Sequence, residues 1–200
     1  MKLRQLEMCL QKIQGFRSPK ADIEQYMTPA PLAARLLHEA ALAGDICEMK
    51  VVDLGCGTGM LSIGAALLGA EVTGIDIDEA ALKIARKNAE AFGLDIEWIR
   101  MRIDETAKPL AADTAIMNPP FGAQKEHADR PFIDFALLTA PVCYGIFNKG
   151  SIPFLEAYTK NTAVITAKTA ALLNIPKQFA FHTQENLEIP VEIVRLERIA

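Results

Sequence analysis

The chain has 200 residues, enough for one α/β domain with a core of its own. Half of its residues are apolar and 23% are charged, the balance of a globular protein rather than a disordered one. A formal charge of −4 argues against an indiscriminate nucleic-acid binder, and no apolar run approaches the roughly 18 residues that span a bilayer. The N-terminus is polar, without a secretory h-region, so no membrane association is expected. Cys9, Cys47, Cys56 and Cys143 are scattered, with no Cys-x-x-Cys pair and no His at ligand spacing. Reduced thiols in the cytoplasm are therefore expected, and no structural zinc site.

Apolar residues at Leu3, Leu6, Leu10 and Ile13 predict a helix within residues 1–14, broken by Gly15 and Ser18-Pro19. The first twenty residues carry Lys2, Arg4, Lys12, Arg17 and Lys20 against Glu7 alone, a basic arm on an acidic body. A second helix is predicted from Pro29 to Ala43, with Thr28 as N-cap and Gly44 near its end. From Lys50 the pattern alternates. Strands are predicted at Val51–Leu54, Glu71–Ile77, Ile96–Ile103, Thr114–Met117 and Val142–Phe147. Helices are predicted at Met60–Leu68, Glu79–Phe92, Pro131–Thr139 and Ile152–Tyr158. Two more strands, Ala163–Ala167 and Val191–Arg198, lack a clear helix between them and predict a terminal hairpin with one antiparallel strand. The repetition implies a mostly parallel, doubly wound sheet with helices on both faces. One domain is expected over residues 1–200, with an N-terminal helical segment at 1–45 and a Rossmann-like core at 46–200.

Asp53-Leu-Gly-Cys-Gly-Thr-Gly59 follows the first strand and opens a helix at Met60. Its glycines allow a tight turn and close approach of a ligand to the backbone. A nicotinamide or flavin fingerprint would place its third glycine at position 60, which is methionine. The observed G-x-G-x-G spacing instead resembles motif I of S-adenosylmethionine-dependent methyltransferases. Asp53 would face the methionine ammonium, with Gly55, Cys56, Gly57, Thr58, Gly59 and Met60 forming the turn. Asp76 ends the second strand about 20 residues on, where a carboxylate can bind ribose hydroxyls. Asp78 is expected to cap the next helix. Asp104, at the end of the predicted third strand, is placed to accept from an adenine amino group, with Ile77 and Ile103 sandwiching the ring; an ordinary loop carboxylate is the competing reading.

The fourth strand delivers Asn118-Pro119-Pro120-Phe121-Gly122. A planar amine is a poor nucleophile because its lone pair is delocalised. The side-chain carbonyl of Asn118 and the backbone carbonyl of Pro119 are suited to accept its two N–H bonds. Consecutive prolines fix φ and restrict their predecessors, so these acceptors are held before substrate arrives. Phe121 offers a ring on which an extruded base can stack. Beyond the turn, Lys125, His127 and Arg130 are candidates to grip the flanking strand, although Glu126 and Asp129 offset their charge.

With these motifs in place the chain resembles class I methyltransferases, and more closely the METTL5-like family of ribosomal-RNA adenine-N6 methyltransferases. The resemblance takes in Gly15-Phe16, Glu24-Gln25-Tyr26-Met27-Thr28, Ala33-Ala34-Arg35, Asp53–Gly59, Asp76–Glu79, Asn118–Gly122, His127–Phe132 and Phe179-Ala180-Phe181-His182. It implies a seven-stranded Rossmann-like sheet with S-adenosylmethionine as cofactor and S-adenosylhomocysteine as product. The implied substrate is structured RNA, ribosomal RNA of the small subunit. Gln25 and Thr28 would fold over the cofactor as part of a lid, and Tyr26 would help to wall the site. A small Trm112-like zinc-binding partner would add a strand to the sheet edge, for which Ile96–Ile103 with Trp98 is the candidate. No metal is required, because the sulfonium methyl is already an activated electrophile. Alternatives are a protein-glutamine N5 methyltransferase, a DNA adenine-N6 methyltransferase, or a non-enzymatic cofactor-binding scaffold in ribosome assembly.

Overall fold

The computed structural model describes residues 1–122, 127–176 and 186–199. In chain order the elements are α1 (Leu3–Leu10), a 3-10 turn (Ala21–Ile23), α2 (Ala30–Leu42), β1 (Lys50–Leu54), α3 (Met60–Leu67), β2 (Glu71–Asp76) and α4 (Glu79–Ala91). There follow β3 (Glu97–Arg100), β4 (Thr114–Met117), α5 (Arg130–Thr139), β5 (Val142–Asn148), α6 (Ile152–Tyr158), β6 (Ala163–Pro176) and β7 (Asn186–Arg198). The described strands form one seven-stranded sheet in the order β3-β2-β1-β4-β5-β7-β6. Only β7 runs against its neighbours, pairing antiparallel with both β5 and β6.

Buried strands read as continuous apolar runs because each face carries its own core. Val51 packs with Leu6, Leu10, Leu36, Leu37 and Ile63 from α1, α2 and α3. The next residue, Val52, packs on the opposite face with Ile133, Phe135 and Leu155 from α5 and α6. Helices therefore cover both sides, and successive residues of β1 serve different cores.

Three boundaries differ from expectation. The first helix stops at Leu10, although Ile13 is still buried beyond it. β3 is only four residues long, so Asp104 lies beyond its end in a turn and not at the strand terminus. β6 continues nine residues past Ala167, pairing with β7 as far as Pro176 and Asn186. A register shift between Ile165 and Ala167 breaks the apolar alternation there, which is why the pattern alone ended the strand early.

Trp98 of β3 does not display its ring at the sheet edge. A Cβ on Gly74 would stand 2.6 Å from that ring, and one on Gly59 would stand 3.0 Å from it. The indole thus lies over the glycine gap in β2 and against the start of α3, where no larger residue fits.

Candidate active site

The site is built where the strand order reverses, between β1 and β4. Leu54 pairs in register with Ile75 on one side and with Met117 on the other. The next residues along those three strands, Gly55, Asp76 and Asn118, therefore lie at one level at the carboxyl end of the sheet. A cavity of about 510 Å³ opens there, a size suited to a cofactor with part of its substrate. Of the residues predicted for cofactor binding, Gln25, Tyr26, Thr28, Asp53, Gly55, Cys56, Gly57, Thr58, Met60, Asp76, Ile77, Ile103, Asp104 and Asn118 line it. Gly59 does not; with φ of 89° it is the left-handed N-cap of α3.

The glycine turn is fastened to β2 by a carboxylate. Asp76 accepts the backbone N–H of Gly57 at 2.8 Å and that of Asp78 at 2.8 Å. Burial raises the Asp76 carboxyl above its ordinary value, and those backbone bonds oppose the rise. A carboxylate has about four lone-pair sites, so acceptor capacity remains for ribose hydroxyls. Asp53 lies beneath the turn, 1% exposed, and accepts the Ser62 hydroxyl proton at 2.5 Å. Burial lifts its pKa to about 7; Ser62 lowers it and the charge of Asp76 raises it. Asn88 ties the turn from behind: its Nδ2 donates to the carbonyls of Thr58 and Gln14, and its Oδ1 accepts from Gln14 N–H. The rings of Phe16 and Phe132 close over Gly57 and Gly55.

Asp78 caps α4 as expected, accepting from Ala80 N–H at 3.1 Å. It also accepts from Lys20 Nζ at 2.9 Å and Gln25 Nε2 at 2.8 Å. Its partial burial would raise the carboxyl, but those two side chains hold it below the ordinary range. Gln25 is accordingly buried, with its Oε1 accepting from Lys20 N–H. Asp104 lines the cavity, and its Oδ1 accepts from the N–H and hydroxyl of Thr106; this hydroxyl holds its pKa low. Ile77 and Ile103 both line the cavity.

The Asn118–Phe121 turn is held from the far end of the sequence. Thr28 does not cap α2, whose N-cap is Pro29 with no side-chain bond. Its hydroxyl instead accepts from Asn118 Nδ2 at 2.9 Å. Asn118 Oδ1 is buried and has no hydrogen-bond partner. Glu24, whose place in the Glu-Gln-Tyr-Met-Thr segment implied no role of its own, accepts the Phe121 N–H at 2.7 Å from a left-handed backbone with φ of 52°. The Phe121 ring lies 5.7 Å from that of Tyr26, tilted by 39°. The Tyr26 hydroxyl is buried without a partner, and burial, reinforced by Glu24, drives its pKa far up. Asn118 and Pro120 reach the cavity, whereas Pro119 and Phe121 do not line it.

The candidate RNA-gripping residues separate. His127 is exposed, with φ of 63°, and lines the cavity. Arg130 does not line it; its guanidinium lies 5.4 Å from the ring centres of Phe154 and Tyr158 on α6. Lys125 falls outside the described residues, as does the Phe179–His182 segment. Among the described residues no group of three His, Cys, Asp or Glu is placed to hold a metal ion.

Residues 32–138 match the methyltransferase small domain family. The rRNA N(6)-adenosine-methyltransferase METTL5 of Danio rerio is 36% identical, over 98% of this chain and 98% of that one. The Drosophila melanogaster protein of the same name is 34% identical over 98% and 97%. The chain belongs to the METTL5-like methyltransferases. A solved structure from Pyrococcus horikoshii, described as a candidate RNA methyltransferase, superposes with a TM-score of 0.92 at 37% identity, covering 100% of this chain and 99% of that one. The chain is thus an S-adenosylmethionine-dependent methyltransferase with a Rossmann-like fold. The cavity fits that cofactor: it has a glycine turn backed by Asp53, the carboxylate of Asp76, and unpartnered buried oxygens on Thr58 and Asn118. No helix among the described residues is long and apolar enough to cross a membrane.

Proposed function

We infer that this methyltransferase modifies N6 of an adenosine in ribosomal RNA, with the small subunit as the expected source. The observation that carries the chemistry is the buried, unpartnered Oδ1 of Asn118 beside the cofactor cavity. An acceptor without a donor is costly in an interior and is expected to meet one when substrate binds. The exocyclic amine of adenine brings two N–H donors, one for Asn118 Oδ1 and one for the Pro119 carbonyl that the motif supplies. The similarity to rRNA adenosine methyltransferases over nearly the whole chain supports RNA over a protein glutamine or DNA.

When bound, S-adenosylmethionine supplies a methyl group activated by its positive sulfur. Asp76 and the glycine turn would hold its nucleoside, and Asp53 would pair with its ammonium. Asn118 and Pro119 would draw both N–H bonds into their plane of acceptors, returning the nitrogen lone pair to attack. As the nitrogen–methyl bond forms, the methyl–sulfur bond would break with S-adenosylhomocysteine as the leaving group, and the amine proton would pass to water afterwards, so the residues need only position and desolvate. Incubation with radiolabelled cofactor and ribosomal RNA, followed by nucleoside analysis, is expected to give N6-methyladenosine at one site. Label confined to protein would reject the reading.

The Trm112-like partner belongs to the same proposal. β3 forms one edge of the sheet and pairs, among the described strands, with β2 alone, which supports strand addition there. Co-expression with such a zinc protein is expected to raise soluble yield; equal yield and activity of the chain alone would argue against dependence. The four cysteines are free thiols, two of them buried, which is compatible with a reducing, cytoplasmic setting.

A further inference from the structure

We propose, resting on the reading of RNA as the substrate, that residues 12–20 and α4 form a basic strip that carries RNA phosphates on the cofactor flank of the cavity. The strip binds by charge and leaves the choice of base to the pocket at Asn118.

Two ties lay the N-terminal chain along the helix. Gln14 N–H donates to Asn88 Oδ1 at 3.1 Å, and Asn88 Nδ2 donates back to the Gln14 carbonyl at 3.0 Å. Further on, Lys20 Nζ donates to Asp78, the cap of α4, at 2.9 Å. From Asn88 back to Asp78 the helix covers about 15 Å, so residues 14–20 run against its direction with Arg17 midway. Lys83 and Lys87 are one helical turn apart, about 6 Å, and opposite the buried stripe of Ala81, Leu82, Ala85 and Ala89. Phe16 fixes the other border. Its ring closes over Gly57 and lines the cavity, while Arg17 beside it is exposed, so the strip begins at the cavity's lip.

Residues 12–20 and 78–91 hold six cations and three carboxylates, +3 on a chain whose total is −4. Asp78 is paired with Lys20, and Glu79 with Arg86, which leaves Glu90 near the far end of the helix. Lys12, Arg17, Lys83 and Lys87 are exposed, and none has an ion partner among the described residues. Such a row gains affinity from a polyanion by releasing its counterions. Asn118 follows β4 and α4 follows β2, on either side of β1. Only an RNA long or folded enough to bridge the two flanks engages both the pocket and the strip. A short oligonucleotide reaches the Asn118 turn alone.

The test compares the wild-type chain with R17A/K83A/K87A, with the charge-keeping R17K/K83R/K87R, and with K160A/K168A, which removes two exposed lysines elsewhere. The probes are a small-subunit rRNA transcript and a short adenosine-containing oligonucleotide. With the transcript, the triple alanine variant is expected to raise KM about 10- to 100-fold, with kcat and cofactor Kd within about twofold of wild type. The slope of log KM against log salt is expected to fall by about two, since three phosphate contacts are lost at roughly 0.7 each on a single strand. KM for the oligonucleotide should hold, and R17K/K83R/K87R should behave as wild type. An unchanged KM and salt slope for the transcript would overturn the proposal. So would an equal loss in K160A/K168A, the mark of a net-charge effect, or an equal loss with the oligonucleotide, which would put these side chains at the pocket. If the wild-type chain puts no methyl into either RNA, the substrate reading fails. Filter binding of the transcript then still decides the strip, and equal retention by wild type and the triple alanine variant overturns it.

Discussion

The two halves of the cavity are held by different kinds of contact. On the cofactor side the tie is local: Asp76 fastens Gly57, only 19 residues away, within one strand-helix-strand unit. On the acceptor side, Asn118 and Phe121 are fastened by residues 90 and 97 positions distant. The first lies within β1, α3 and β2. The second needs the N-terminal segment held against the end of β4, so it is the more easily loosened of the two. On the proposed reading, binding of the methyl donor can therefore persist in a molecule whose Asn118–Phe121 turn is not held.

That separation can be broken most sharply at Asn118. Asn118→Ala is expected to cut methyl transfer about 100- to 1,000-fold while cofactor Kd by calorimetry stays within about threefold. Loss of cofactor binding in that variant would show the halves to be one unit. The reciprocal change, Asp76→Ala, is expected to weaken the cofactor about 10- to 100-fold, since a charged acceptor and the Gly57 tie are both lost. A third lever is pH. Asp53 titrates at about 7, so it is largely protonated below that and ionised above it. Cofactor affinity is expected to rise as pH increases through 7, and Asp53→Asn should flatten the profile. The linked effect on the free protein has the opposite sign. A carboxyl with a raised folded-state pKa contributes stability at low pH and loses it as pH rises towards 7. Smallest of all should be Arg130→Ala. Stacked on Phe154 and Tyr158, Arg130 should contribute about 1 kcal/mol of stability, and its loss should leave KM for RNA within about twofold. A large rise in KM would return Arg130 to the substrate-gripping set.

The same division explains what could be read from the sequence. The glycine turn, Asp76 and the cap at Asp78 lie within one stretch whose spacing encodes its geometry, and they come together at the end of β1 and β2. The mostly parallel, doubly wound sheet with its terminal hairpin was legible because alternating strands and helices admit few topologies. Glu24 was not legible: a glutamate before Gln-Tyr carries no mark of a bond made across the fold. Thr28 was actively misleading, since a threonine before Pro-Ala is what a helix cap looks like. Asn88 did leave a trace. It sits on the buried stripe of α4 with Ala81, Leu82, Ala85 and Ala89, and a polar residue on an apolar face asks for a partner. Asp104 was misplaced because β3 ends at Arg100, well before its apolar pattern runs out at Ile103.

Trp98 is the chain's single tryptophan, and its indole lies against Gly59, where the cofactor turn becomes α3, and over Gly74 of β2. The protein thus carries one intrinsic fluorophore mounted directly behind its donor site. Emission from that ring should follow cofactor binding at the glycine turn in a simple optical titration, without any label.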